Sequence, residues 1–192
     1  DLFRISGFDI RAFPTDLGPF LWVVLGVLLL GSGLSHAQVV INEAMASNVA
    51  CFADPQGDFD DWIELYNAGG SSVDVGGMYL TDDLDEPMKW QIPANNPGAT
   101  ILGPGKYLLI WTDGDTADYV SAEQSGRRAA GPPASGFHAS FRLSSGGDEI
   151  YLFDSDGVTR IDSLAFDEQT PDMSYGRYPD GGDTLRFFGV PT

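Results

Sequence analysis

Asp61-Trp62-Ile63-Glu64-Leu65-Tyr66-Asn67 is the stretch on which the fold turns. Ile63 and Leu65 alternate with Trp62, Glu64 and Tyr66. A period of two puts the aliphatic side chains on one face of an extended strand and would scatter them around a helix. The same alternation returns at Ile150 and Leu152 against Tyr151 and Phe153. In Tyr107-Leu108-Leu109-Ile110-Trp111 both sets are apolar, which predicts a central strand covered on two sides. Working outward, short apolar runs are separated by turn-forming clusters such as 68–72, 103–105, 144–148 and 179–182, rich in Gly, Pro, Ser and Asp. Asp156-Gly157 between two apolar runs predicts a hairpin. The pattern gives strands at 39–42, 62–67, 78–82, 88–92, 107–112, 137–143, 149–154, 159–166 and 184–188, and no helical period after Ala37. The expected fold is therefore all-β: about nine short strands in two packed sheets. One segment, 113–136, breaks the rhythm. It ends in Pro, Ala, Gly and Ser and is long for a loop inside a compact domain, which marks it as functional or mobile.

Composition narrows the function. The chain has 192 residues and a formal net charge of −18, from 28 Asp and Glu against 10 Lys and Arg. Nucleic-acid binding rests on clustered basic side chains, and the one adjacent pair is Arg127-Arg128. A single cysteine, Cys51, excludes an internal disulfide and a Cys-rich zinc site. It reads either as a thiol available to another chain or as a small, partly buried residue, the second being the commoner use.

Residues 1–37 read as a leader. The uncharged run 20–34 is followed by Ser35-His36-Ala37, the pattern of a secretory signal helix and its cleavage site, with Gln38 as the new N-terminus. The run falls short of the ~20 residues that span a bilayer, so a membrane anchor through residues 20–34 is the alternative. The stretch before it carries Arg4 and Arg11 against Asp1, Asp9 and Asp16, where a signal should be positive, so it is expected to lie upstream of the native start or to be a fragment end. Residues 38–192 form the domain proper.

Within that domain the residues resemble a known family. Val40-Ile41-Asn42-Glu43, Asp61 to Asn67 and Val75-Gly76-Gly77-Met78-Tyr79-Leu80 look like the opening of a lamin tail domain. Trp90-Gln91-Ile92-Pro93, the run 102–111, Phe141-Arg142-Leu143, Gly147 to Leu152 and Ser174-Tyr175-Gly176-Arg177-Tyr178-Pro179-Asp180-Gly181 continue it to the end of the chain. The acidic Thr81 to Asp85 segment is most similar to bacterial secreted versions. The resemblance implies an immunoglobulin-like β-sandwich and a non-catalytic accessory role in an exported or surface protein, one that continues beyond Thr192.

Three chemistries compete for its loops. Calcium needs several oxygens, and closely spaced Asp residues supply them. The candidates are Asp54, Asp58, Asp60 and Asp61; Asp82, Asp83 and Asp85; and Asp113, Asp115 and Asp118. The metal site expected is the pair of clusters at Asp82, Asp83 and Asp85 and at Asp113, Asp115 and Asp118, brought together at one end of the sandwich. Against it stands the use of Asp as a turn residue and solubiliser. Carbohydrate binding would use Trp62, Trp90, Trp111 and the tyrosines as stacking surfaces, or the end loop 113–136; more often such aromatics are core. Catalysis would need His138, which has no nucleophile elbow beside it, or paired carboxylates such as Asp61 and Glu64, which so acidic a chain is expected to contain by chance, so no enzyme is expected. The expected function is a secreted or cell-surface interaction and spacer module, calcium-stabilised in its sharper form. The alternative is an extracellular carbohydrate- or ligand-binding module. The expected partners are a protein or a cell-surface polysaccharide, with no nucleic acid, and a membrane only through an uncleaved leader.

Overall fold

A computed structural model describes residues 38–114 and 136–191. The leader and its apolar run, Asp115, Asp118 and nearly all of the long loop lie outside the described residues. The strands are β1 Val39–Met45, β2 Trp62–Asn67, β3 Val73–Asp74, β4 Tyr79–Thr81, β5 Trp90–Gln91, β6 Ile101–Leu102, β7 Tyr107–Trp111, β8 Phe137–His138, β9 Gly147–Phe153, β10 Arg160–Asp167, β11 Ser174–Arg177 and β12 Leu185–Phe188. One helical turn, α1 Pro97–Thr100, precedes β6.

The strands form a six-stranded sheet, β12-β11-β1-β2-β7-β8, and a four-stranded sheet, β10-β9-β4-β5, with β3 and β6 as a separate ribbon. The alternation read from sequence sets the interior. Ile41 and Ala44 of β1, Ile63 and Leu65 of β2 and Ile110 of β7 meet Leu80, Ile150, Leu152 and Leu164 of the smaller sheet, all of them fully buried. Each such aliphatic side chain taken from water contributes about 1.5–3 kcal/mol, so the interface between the inner faces is the main source of stability. The hairpin at Asp156-Gly157 is present: Gly157 has φ 67, and β9 and β10 pair antiparallel around it.

Three departures from the sequence reading have physical causes. β3, β6 and β11 were not expected: two are only two residues long, and β11 reads Ser-Tyr-Gly-Arg, with no aliphatic alternation. β7 is penultimate rather than central, because β8 pairs in parallel with Ile110 and Trp111 alone. Its outer side chains are apolar for another reason. The connection between β1 and β2 folds over them, with Phe52 stacked on Trp111 at 5.9 Å and Leu109 packed with Met45, Trp62 and Trp111. Cys51, at the crest of that connection, is exposed and not partly buried.

β1 carries a bulge between Ile41 and Glu43. A bulge leaves backbone groups outside the ladder, and here side chains from both sheets take them. Ile41 N–H donates to Asp162 Oδ2 of β10 at 2.7 Å, and Ile41 C=O accepts from Arg177 Nε of β11 at 3.0 Å. Arg177 and Asp162 complete the link through two contacts, 3.0 and 3.1 Å. Ile41, at the bulge, thus becomes the point where the two sheets are tied.

Candidate functional site

The bulge also turns Asn42 and Glu43 towards the outer face of the larger sheet, where a buried polar belt forms. Glu43 lies opposite Glu64 across β1 and β2, and opposite Gly176 across β1 and β11. Gly176 is required there: a Cβ would stand 2.4 Å from Asn42 C=O and 2.8 Å from Glu43 Cα. Ser174 Oγ donates to Glu43 Oε1 in a short contact. Asn42 Nδ2 donates to Glu64 Oε1 at 2.9 Å and to Asp180 Oδ1 at 3.3 Å, while its Oδ1 accepts Gly181 N–H at 2.9 Å. Tyr107 OH donates to Asp180 Oδ2 at 2.6 Å, which holds the phenol well above its ordinary pKa.

Above this belt lies a pocket of about 510 Å³, lined by Cys51, Phe52, Trp62, Glu64, Tyr107, Leu109, Val190 and Pro191. Its walls are mostly apolar, and Glu64 is the carboxylate in them. Glu64 is 9% exposed. Burial raises its pKa from 4.5 to about 7; Glu43 and Asp180 push the same way, and the Asn42 hydrogen bond opposes them. Largely apolar pockets with a perturbed ionisable group are where binding sites concentrate. Trp62, in the same wall, has a buried indole N–H with no acceptor among the described residues. The Cys51 thiol at the rim is raised above its ordinary pKa by desolvation, then by Asp172 and Glu43, which weakens it as a nucleophile.

A second polar cluster sits at one end of the sandwich. His138, 1% exposed, places Nδ1 3.0 Å from Asp113 Oδ2 and Nε2 3.9 Å from Asp54 Oδ2. The Nδ1–Asp113 contact is a buried side-chain hydrogen bond between β8 and the segment just past the end of β7. Asp54 and Asp113 are 6% and 7% exposed, so the imidazole is enclosed. Asp54 Oδ1 in turn accepts the backbone N–H groups of Gln56, Gly57 and Asp58 at 2.9, 2.7 and 2.7 Å. The cluster anchors the β1–β2 connection to β8. The same connection is held by Asn48, whose Nδ2 donates to Asp60 C=O at 2.7 Å, and by Asp172, whose Oδ1 accepts Val49 and Ala50 N–H, both at 2.8 Å.

Of the sequence-derived calcium candidates, Asp54, Asp58 and Asp113 come together around Asp60, whose pKa is raised first by burial and then by these three, so that two of the three acidic clusters meet. Asp82 pairs with Lys89 at 2.7 Å. Asp83 caps its own turn by accepting Asp85 N–H at 2.9 Å. Asp113 is engaged by His138, and Asp115 and Asp118 lie outside the described residues. Among the described residues no group of three His, Cys, Asp or Glu has the arrangement of a metal site. Asp82 does share an open depression of about 680 Å³ with Asp148, Glu149 and Asp167, a grouping the sequence reading missed because β9 and β10 bring it together only in the hairpin. Trp62, Trp90 and Trp111 are all buried, and of the three Trp62 lines the pocket over Glu64. The residues of the polar belt that sequence reasoning missed are Glu43, Glu64 as a buried group, and Asp180. Their signal was present in the polar residues interrupting apolar strands, but a strand pattern alone places such residues on the solvent side.

Comparison with curated proteins gave no match. Comparison with family descriptions gave the Lamin Tail Domain over residues 34–168, which ends before β11 and β12 and so covers less than the likeness read from sequence. The order of the matched strands, the two packed sheets and the match over more than half the chain agree: this chain belongs to the lamin tail domain family.

Proposed function

We propose that this domain is a non-catalytic interaction and spacer module of a larger exported protein, acting outside the cell or at its surface. The observation that carries the reading is the fate of the reactive groups. His138 and its two carboxylates are sealed inside and tie a loop to a strand, and the Cys51 thiol is held in its protonated form. A positioned base beside an activated nucleophile would be needed for bond-making, and here the imidazole is spent on anchoring a loop while the thiol is less acidic than a free one. The leader at 1–37 supports export. The decisive experiment is expression from the natural gene, followed by fractionation and N-terminal sequencing. A mature chain beginning at Gln38, in the medium or on the surface, is expected. Recovery uncleaved in the membrane fraction selects the anchor through residues 20–34, and recovery in the cytosol overturns export.

Calcium stabilisation belongs to the same proposal and is supported by the acidic depression at Asp82, Asp148, Glu149 and Asp167. A melting temperature unmoved between excess calcium and chelator removes it. The carbohydrate-binding alternative retains the end loop 113–136 as its site, and a silent glycan array would remove that.

A further inference from the structure

The pocket over Glu64 goes beyond the interaction-module reading and stands without it, since a pure spacer would have no need of such a cavity. Its features are specific. The walls are aromatic and aliphatic: Phe52, Trp62, Tyr107 and Leu109. Its lining carboxylate is held in place by Asn42 through Oε1. The charged and titratable groups facing Glu64 are Glu43 from β1, Asp180 from the turn after β11, Tyr107 from β7 and Cys51 from the loop. Glu43 and Asp180 add negative field. Arg186, three strands from Glu64 along the same row, is occupied in stacking over Tyr178 at 3.5 Å. A carboxylate shielded from water between aromatic faces attracts a cation twice, through charge and through the ring quadrupoles. The rest of the wall wants an apolar body. The ligand that meets both demands is an ammonium group on an apolar stem.

We infer that the outer-face pocket of Glu64, Trp62, Tyr107, Leu109 and Phe52 is a binding site for an organic ammonium group carried on an apolar or aromatic stem. The cation sits against Glu64 and its stem against Leu109 and the rings. Binding favours the ionised carboxylate, so ammonium affinity rises as pH increases from 6 to 8, while affinity for a neutral analogue of the same shape stays flat.

The test uses the full chain and two probes, phenethylammonium and 2-phenylethanol, which share a stem and differ in charge, titrated calorimetrically at pH 6 and pH 8. The ammonium is expected to bind at least about tenfold more tightly than the alcohol at pH 8, a charge-assisted margin. E64Q removes the charge while keeping the shape, and should erase that preference without changing the alcohol's affinity. F52A, at an exposed wall residue, should weaken both probes together and leave the fold intact. A third probe, Nα-acetyl-lysine amide, distinguishes a protein lysine from a free amine as the source by which of the two binds more tightly. Equal binding of ammonium and alcohol, or undiminished ammonium binding to E64Q, overturns the inference.

Discussion

Replacing Glu64 by glutamine should make this protein more stable, increasingly so as pH rises from about 4.5 to about 7 and with a constant gain above that. Glu64 has its pKa raised from 4.5 to about 7, chiefly by burial. The folded state therefore binds its proton more tightly than the unfolded chain does. The stability it contributes is complete below about pH 4.5 and is lost as pH rises through about 7. At about 1.4 kcal/mol for each tenfold difference in proton affinity, the full cost of ionising it in place is roughly 3 kcal/mol. Most of that falls between pH 5 and pH 8. Glutamine keeps the oxygen that accepts from Asn42 Nδ2 and carries no charge. E64Q should thus match the wild type within about 1 kcal/mol at pH 5 and exceed it by about 2–3 kcal/mol at pH 8. Urea denaturation followed by tryptophan fluorescence at pH 5, 6, 7 and 8 measures this. In a domain of this size the gap corresponds to a melting-temperature difference of about 5–10 °C at pH 8. Asp60, Asp61 and Asp148 also have raised pKa values, but they are common to both proteins and cancel in the comparison. A constant difference between variant and wild type across the four pH values would refute the account of Glu64 as a buried, desolvated acid.

Two further predictions concern the loop that covers the pocket. His138→Leu takes the imidazole from Asp113 and Asp54 and leaves buried carboxylate oxygens without that partner, which should cost about 1–3 kcal/mol in chemical denaturation; a loss under about 0.5 kcal/mol would show that the imidazole merely fills space. Asp172 has φ 60 and accepts Val49 and Ala50 N–H, which also hold its carboxyl below the ordinary range. Asp172→Ala should therefore accelerate hydrogen exchange at Val49 and Ala50, whereas Asp172→Asn, which keeps the acceptor and tolerates this φ, should preserve protection; equal protection in both variants would dismiss the role.

The amino-acid pattern determined the core. Alternation at Ile63 and Leu65 and at Ile150 and Leu152, with turn residues between the runs, is enough to specify strands and two facing layers, because a period of two has one geometric solution with a buried face. It also yielded the family, through the order of its motifs. It did not determine what lies on the other face. Glu43 and Glu64 occupy positions that a strand pattern assigns to solvent, and they are buried because the β1 bulge, the strand β11 and the 46–61 loop close over them. Asn42 meets Asp180 and Gly181, and Ser174 meets Glu43, across more than a hundred residues of chain. The carboxylates grouped with Asp82 likewise depend on how β9 and β10 fold back. Local sequence encodes the period of a strand and the chemistry of a turn. The desolvation of a given carboxylate depends on distant segments brought over it, and that is decided only when the tertiary structure forms.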